Sequence, residues 1–284
     1  MAEIYNSTYF VTGGGTGGHI YPALAVADEL TNQGAKVYYV GNKRNMEFEL
    51  ASKKGYKFLH VSISGMPRKL NPKFFFWGIK LIKSVLRSVR YIKKYKPDAI
   101  FATGGYVSAP MIFACMITKT PYMMHDCDAM PGLVSRRLSK RAKYVSLAFE
   151  KAKQYIPNKK AIVTGNPIRK SFRTMTRAEA IYTMGLDNKL TLCIMGGSQG
   201  AKSINNTVIE LLKEFSNELN LQIIFQTGKK NYNDVVEKLQ QFYPGYEQDK
   251  NIIVKPYFDD MVMVLKASDI VISYIFCCIR YFFY

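Results

Sequence analysis

The run Val11-Thr-Gly-Gly-Gly-Thr-Gly-Gly-His19 sets the plan of this chain. An apolar extended stretch, Tyr9 to Val11, enters a loop holding five glycines, and helix-period sequence follows from Pro22, a residue favoured in a first helical turn. A strand, a glycine loop and a helix in that order let a ligand approach the backbone. The helix N-terminus behind the loop offers unpaired N–H groups and a partial positive charge. A phosphate or diphosphate suits such a loop, and for one loop taken alone a plain tight turn is the alternative. The spacing Gly13, Gly15, Gly18 also fits a dinucleotide fingerprint, yet two signals are missing. His19 and Ile20 stand where a nucleotide-hydrolysing P-loop carries Lys-Ser/Thr. The strand Lys36 to Val40 ends in Gly41-Asn42, where an NAD-binding chain carries an acidic residue for the ribose. A sugar nucleotide fits better.

The same plan recurs twice. Ala99 to Thr103 reads as a strand entering Gly104-Gly-Tyr-Val-Ser-Ala-Pro110 and then a helix from Met111. Leu190 to Met195 enters Gly196-Gly-Ser-Gln-Gly-Ala201 and a helix from Ser203. Strands alternating with helices imply parallel sheets with ligand loops at one edge. The expected fold class is α/β, with two Rossmann-like domains facing a cleft. Gly165-Asn-Pro-Ile-Arg169 is a turn-forming linker, so the expected domains are 1–169 and 170–284.

The 40 Lys and Arg against 21 Asp and Glu give a net charge of +19, which points to an anionic partner. The excess is concentrated: Ala51 to Pro97 holds thirteen Lys and Arg and no acidic residue, with Phe74-Phe-Phe-Trp77 inside it. Ile79, Leu81, Ile82, Val85, Leu86, Val89 and Ile92 recur at helical spacing among Lys80, Lys83, Arg87, Arg90, Lys93 and Lys94. One reading is a helix packed on a sheet with a solvated basic face; the other is an aromatic loop and basic helix that dock on an anionic membrane surface. The basic residues match no nucleic-acid-reading motif, so no nucleic-acid partner is expected. Five cysteines without disulfide or zinc spacing indicate a reducing compartment. The start Met1-Ala-Glu-Ile-Tyr-Asn has no signal-peptide character, and the longest apolar runs are too short to span a bilayer. Any membrane contact is therefore expected to be peripheral.

Asp126-Cys127-Asp128 has a form that can hold a divalent metal, bond a substrate or cap a loop. His19, at the mouth of a glycine loop, is a candidate general base, or else a cap or phosphate ligand. Asp126 is the second candidate base. Arg169 is placed either to take leaving-group charge with its guanidinium fork or to close the linker turn.

Gly14-Gly-Thr-Gly-Gly-His19, Gly104-Gly-Tyr-Val-Ser108, His125-x-x-Asp-x-x-Pro-Gly132, Thr164-Gly-Asn-Pro-Ile-Arg169, Gly196-Gly-Ser-Gln-Gly-Ala201 and Asp259-Asp-Met261 occur in the order seen in the MurG family, which the chain resembles from about Phe10 to Ser273. That family adds N-acetylglucosamine to undecaprenyl-pyrophosphoryl-N-acetylmuramoyl-pentapeptide, converting lipid I to lipid II in peptidoglycan synthesis. The resemblance implies the two-domain GT-B architecture, inversion at the anomeric carbon with no cofactor or catalytic metal, and a peripheral place on the cytoplasmic face of the membrane. It implies that Thr16, Gly17, Gly18, Asp128, Arg169, Ser198 and Phe258 contact UDP-N-acetylglucosamine and that Tyr106 lies near the lipid-linked acceptor. The first domain would then serve the acceptor and membrane, and the second the donor.

Two departures stand out. The family usually carries Glu-Gln-Asn or Glu-Ser-Asp where Asp126-Cys127-Asp128 stands, which shortens one carboxylate. From Tyr274 to Tyr284 the sequence has six aromatics in eleven residues in place of the family's Arg-x-Gly-Ala, Glu and Gln segments. It reads as a truncation or shifted frame, so transfer by the chain as written is expected to be absent or weak. The alternatives to the transferase are a non-catalytic membrane-adhering remnant and an NAD-linked oxidoreductase.

Overall fold

The computed structural model describes residues 4–67, 72–157, 159–197, 200–217 and 221–273. The chain divides into two compact units, Met1–Arg169 and Lys170–Tyr284. The aberrant run 274–284 and the expected donor contact Ser198 lie outside the described residues.

In the first unit β1 (Thr8–Thr12), α1 (Gly17–Asn32), β2 (Lys36–Gly41), α2 (Met46–Lys53), β3 (Lys57–His60), α3 (Pro72–Tyr95), β4 (Ala99–Ala102), α4 (Gly105–Thr118), β5 (Tyr122–Asp126), α5 (Leu133–Leu138), β6 (Tyr144–Leu147) and β7 (Ala161–Val163) follow one another. The seven strands form one parallel sheet in the order β3-β2-β1-β4-β5-β6-β7. Strand periodicity sorts the core into two layers. Phe10, Tyr38, Val40, Ile100 and Ala102 pack with Ile92 of α3 and Met111, Ile112 and Cys115 of α4. Their neighbours Val11, Val37, Tyr39 and Phe101 face the other way, onto Ile20, Ala23, Leu24 and Ala27 of α1 and Ala51 of α2. The strand order reverses between β1 and β4, which lie side by side with Thr12 opposite Ala102. Connections leave those two strands in opposite directions, and open α/β sheets bind ligands in the crevice so formed. Both glycine loops of this unit start there.

The second unit contains α6 (Ser171–Thr174), α7 (Arg177–Met184), β8 (Thr191–Met195), α8 (Lys202–Asn217), β9 (Gln222–Gln226), α9 (Tyr232–Phe242), β10 (Ile252–Lys255), α10 (Met261–Ala267) and β11 (Ile270–Ser273). Its described strands are parallel in the order β10-β9-β8-β11, with the reversal between β8 and β11. The third glycine loop leaves β8 at that point.

Three local differences from the sequence reading have physical causes. Helix α1 starts at Gly17, five residues before Pro22, because the last glycines of the loop already form its first turn. Pro22 and, in α4, Pro110 therefore sit inside helices, where each lacks the N–H that would bond the carbonyl four residues earlier. The third difference is in α3. Phe74 to Trp77 lie in its first turns rather than in a loop before it, behind a Pro72 that starts the helix.

Candidate functional site

Thr16 is the N-cap of α1, with extended backbone, an exposed side chain and no capping bond from it. The carbonyl of Thr16 accepts from His19 N and Ile20 N, which closes the first turn and sets the half-buried His19 ring between the two glycine loops. The imidazole packs on the Gly104-Gly105 backbone. A Cβ on Gly105, whose φ is +71°, would lie 3.1 Å from His19 Cδ2 and 2.5 Å from the carbonyl oxygen of Gly14. Glycine at 105 is what lets the second loop close on the first.

His19 Nδ1 lies 2.8 Å from the Thr103 carbonyl oxygen. A carbonyl only accepts, so Nδ1 carries the hydrogen, and in the neutral ring Nε2 keeps the lone pair. The Thr103 hydroxyl returns a bond of 2.6 Å to the His19 carbonyl oxygen, so the residue is held at backbone and ring together. Cys127 Sγ stands 3.7 Å from the same Nδ1.

Near the end of β5, His125 is fully buried. Its Nε2 lies 2.9 Å from Asn166 Oδ1 and its Nδ1 2.9 Å from Ser146 Oγ. Burial pushes its imidazole below the ordinary histidine value. Asp126 is 1% exposed; its Oδ1 accepts from Asp128 N at 3.0 Å, and its Oδ2 is buried with no hydrogen-bond partner among the described residues. In this structure the Asp126 carboxylate shapes the loop from below, through the Asp128 amide, and is not exposed at the surface. Asp128 is half-buried, and burial together with the neighbouring Asp126 carboxylate raises its pKa, while His19 acts in the opposite sense. Arg169 is half-buried, with its guanidinium 5.2 Å above the Tyr21 ring of α1. His19, Thr16, Asp128 and Arg169 thus belong to the carboxyl edge of one sheet. Gly17 and Gly18 give the first amides of α1, and Tyr106 the first turn of α4. Among the described residues no three His, Cys, Asp or Glu side chains gather as a metal ion would require.

In the second unit Phe258 follows β10 and turns its side chain inward. Its side chain is 5% exposed and belongs to the core with Ile181, Met195 and Val264. Sequence reasoning missed the residue that organises this loop. Gln226, 2% exposed at the end of β9, accepts from Phe258 N at 3.0 Å and donates through Nε2 to the Gly197 carbonyl oxygen at 3.2 Å. It also gave no role to Thr103 and Glu47, whose signal in the sequence is only a polar residue at a strand or helix end, or to Asn166, which stands inside the Thr164 to Arg169 motif. Asn42, where an NAD-binding chain would hold a ribose, is buried and exchanges side-chain bonds with the Ile63 backbone.

On α3 the buried positions Ser84, Ser88 and Ile92 face inward, Ser84 donating to the Ser62 carbonyl at 2.6 Å. The opposite face exposes Phe75, Ile79, Ile82 and Leu86, spaced i, i+4, i+7 and i+11, with Phe75 68% and Ile82 61% exposed. Lys83, Arg87, Arg90 and Lys94 are exposed beside that stripe. No described helix is long and apolar enough to cross a membrane.

Residues 9–147 match the glycosyltransferase family 28 N-terminal domain and residues 191–274 the family 28 C-terminal domain. A curated relative from Desulforamulus reducens, named UDP-N-acetylglucosamine--N-acetylmuramyl-(pentapeptide) pyrophosphoryl-undecaprenol N-acetylglucosamine transferase, is 38% identical over 267 residues, covering 93% of this chain and 72% of the relative. A relative of the same name from Halothermothrix orenii is 36% identical over 92% of this chain and 71% of its own length. Among solved structures, MurG of Acinetobacter baumannii aligns with a TM-score of 0.67 at 28% identity, over 94% of this chain and 73% of that one. UDP-GlcNAc 2-epimerase from Neisseria meningitidis, bound to UDP-GlcNAc, aligns at 0.63 and 16% identity over 94% and 77%, a likeness of fold alone.

Proposed function

The chain belongs to glycosyltransferase family 28 and, within it, to the MurG-type hexosyltransferases, and on that premise we propose that it moves N-acetylglucosamine from UDP-N-acetylglucosamine to the 4-hydroxyl of undecaprenyl-pyrophosphoryl-N-acetylmuramoyl-pentapeptide. The observation that carries the mechanism is the His19 ring locked by the Thr103 carbonyl at 2.8 Å. Its Nε2 takes the proton of the 4-hydroxyl as that oxygen forms its bond to the anomeric carbon. The bond from that carbon to the diphosphate oxygen breaks, UDP departs with the electron pair, and the centre inverts. Asp128 lies close enough for its charge to interact with His19, and favours the imidazolium that forms. The amides of Gly17 and Gly18 and the Thr16 hydroxyl suit donor phosphate or sugar oxygens. Arg169 offers a guanidinium to the leaving diphosphate. Tyr106, at the start of α4, serves the acceptor side.

The exposed stripe of α3 supports peripheral docking on the cytoplasmic face of an anionic membrane, where the lipid-linked acceptor resides. Apolar side chains enter the interface while the neighbouring cations meet the headgroups.

The test is transfer of labelled sugar to lipid I. Label from UDP-N-acetylglucosamine, and not from UDP-glucose, should enter the lipid fraction. Equal labelling from both, or none from either, contradicts the proposal.

A further inference from the structure

Glu47 opens α2 and is fully buried, although no motif marks it. Its Oε1 accepts from Asn42 N and Asn45 Nδ2, both at 3.2 Å, and its Oε2 from Gly15 N at a long 3.5 Å. The side chain threads between two glycines: a Cβ on Gly14 would lie 2.8 Å from Glu47 Cδ, and one on Gly41 2.8 Å from Glu47 Cγ. Asn45 is the N-cap of α2, yet its side chain makes no capping bond. It donates to Glu47 and also to the Tyr106 hydroxyl at 3.3 Å. The Tyr106 ring in turn sits against Gly15, 2.9 Å from where a Cβ would stand. A carboxylate buried on N–H donors is costly to keep and to disturb, which makes it a firm geometric anchor. Here it takes up the Gly15 amide and adds negative charge beneath the first glycine loop.

We infer that Glu47 is a positioning residue that fixes the shape of the first glycine loop and, through Asn45, aims Tyr106 at the lipid-linked acceptor, an inference that rests on the acceptor reading above. Gln at this position would turn an amide toward the Gly15 N–H, donor against donor.

The experiment is a double-variant cycle on transfer to lipid I, with E47Q, Y106F and the pair together. E47Q should lower kcat/KM for the acceptor about tenfold or more and change KM for UDP-N-acetylglucosamine less than about twofold. The pair should be no worse than about twofold below E47Q, because residues acting through one chain of contacts are not additive. N45A cuts the link while leaving the carboxylate in place, and should reproduce the Y106F loss even where E47Q fails to fold. Losses that multiply, or an N45A variant equal to the wild type, overturn the inference. Amide exchange at Gly13 to Gly15 reads the loop without substrate and should accelerate in E47Q. Unchanged exchange overturns the inference, whereas accelerated exchange with no wild-type transfer to lipid I overturns only the acceptor reading.

Discussion

The Nδ1–H of His19 points at the carbonyl oxygen of Thr103, 2.8 Å away, across the boundary between β1 and β4. His19 lies in the first turn of the helix that follows β1, and Thr103 directly follows the neighbouring strand β4, so the tautomer of a candidate base is fixed by the point at which strand order reverses. That contact joins the fold to the chemistry.

Gly105→Ala should separate the two loops. The added Cβ meets the Gly14 carbonyl at 2.5 Å in a residue with φ +71°. Strained backbone of this kind costs about 1–3 kcal/mol, and the clash adds to it. Urea unfolding should show the loss together with reduced transfer, and a variant as stable and active as wild type would contradict the close packing.

His125 makes stability depend on pH. In the unfolded chain its imidazole titrates near 6.5, whereas in the native unit burial holds it lower. Below 6.5 the unfolded state therefore takes up a proton that the native state refuses, and stability falls as pH drops from 6.5 toward the native value. His60, depressed by burial and by Arg87, acts in the same direction. Asp128 is raised, so its contribution declines as pH rises from its ordinary value to the raised one, a window in the more acid range. Denaturant midpoints measured from pH 7.5 to 5.5 should fall for the wild type and fall less for H125Q. Parallel profiles would contradict the assignment.

Membrane docking predicts that F75S/I82S/L86S keeps the far-ultraviolet spectrum of the wild type, because all three side chains are more than half exposed. Its partition onto vesicles containing anionic lipid should drop at least about tenfold, at roughly 25 cal/mol per Å² of apolar surface removed from the interface. Wild-type binding should also weaken with salt, as screened charge requires. Equal flotation of variant and wild type would remove α3 from the docking surface.

Gln226→Leu should strip two backbone groups of their partner, Phe258 N and the Gly197 carbonyl. An unpaired buried polar group costs about 1–3 kcal/mol. The KM for UDP-N-acetylglucosamine should rise and the KM for the acceptor should hold; the reverse pattern would place the third glycine loop on the acceptor side.

The alternation of strands, glycine loops and helices was legible because each carries its own period and punctuation: the strands expected at Ala99 to Thr103 and Leu190 to Met195 stand as β4 and β8, each within one residue at either end. Helix α2 was not legible, since eight residues with charges on most faces give no apolar stripe. The start of α1 was misplaced because Pro22 usually opens a helix, and here the glycines before it have already done so. At the site, residue types named His19, but only the fold brings Thr103 to its Nδ1 from 84 positions away. For Asp126 and Phe258 nothing in the sequence signals that the side chains turn inward, since burial depends on the sheet packed around them.

The most direct test is the rate of N-acetylglucosamine transfer to lipid I by the wild type and by His19→Asn. Asparagine can still donate to the Thr103 carbonyl but has no basic nitrogen in place of Nε2. The account predicts transfer by the wild type and a fall of about 100-fold or more in kcat for the variant, the share general bases commonly supply, with the KM for UDP-N-acetylglucosamine little changed. Equal rates for the two proteins, or no transfer by the wild type, would contradict it.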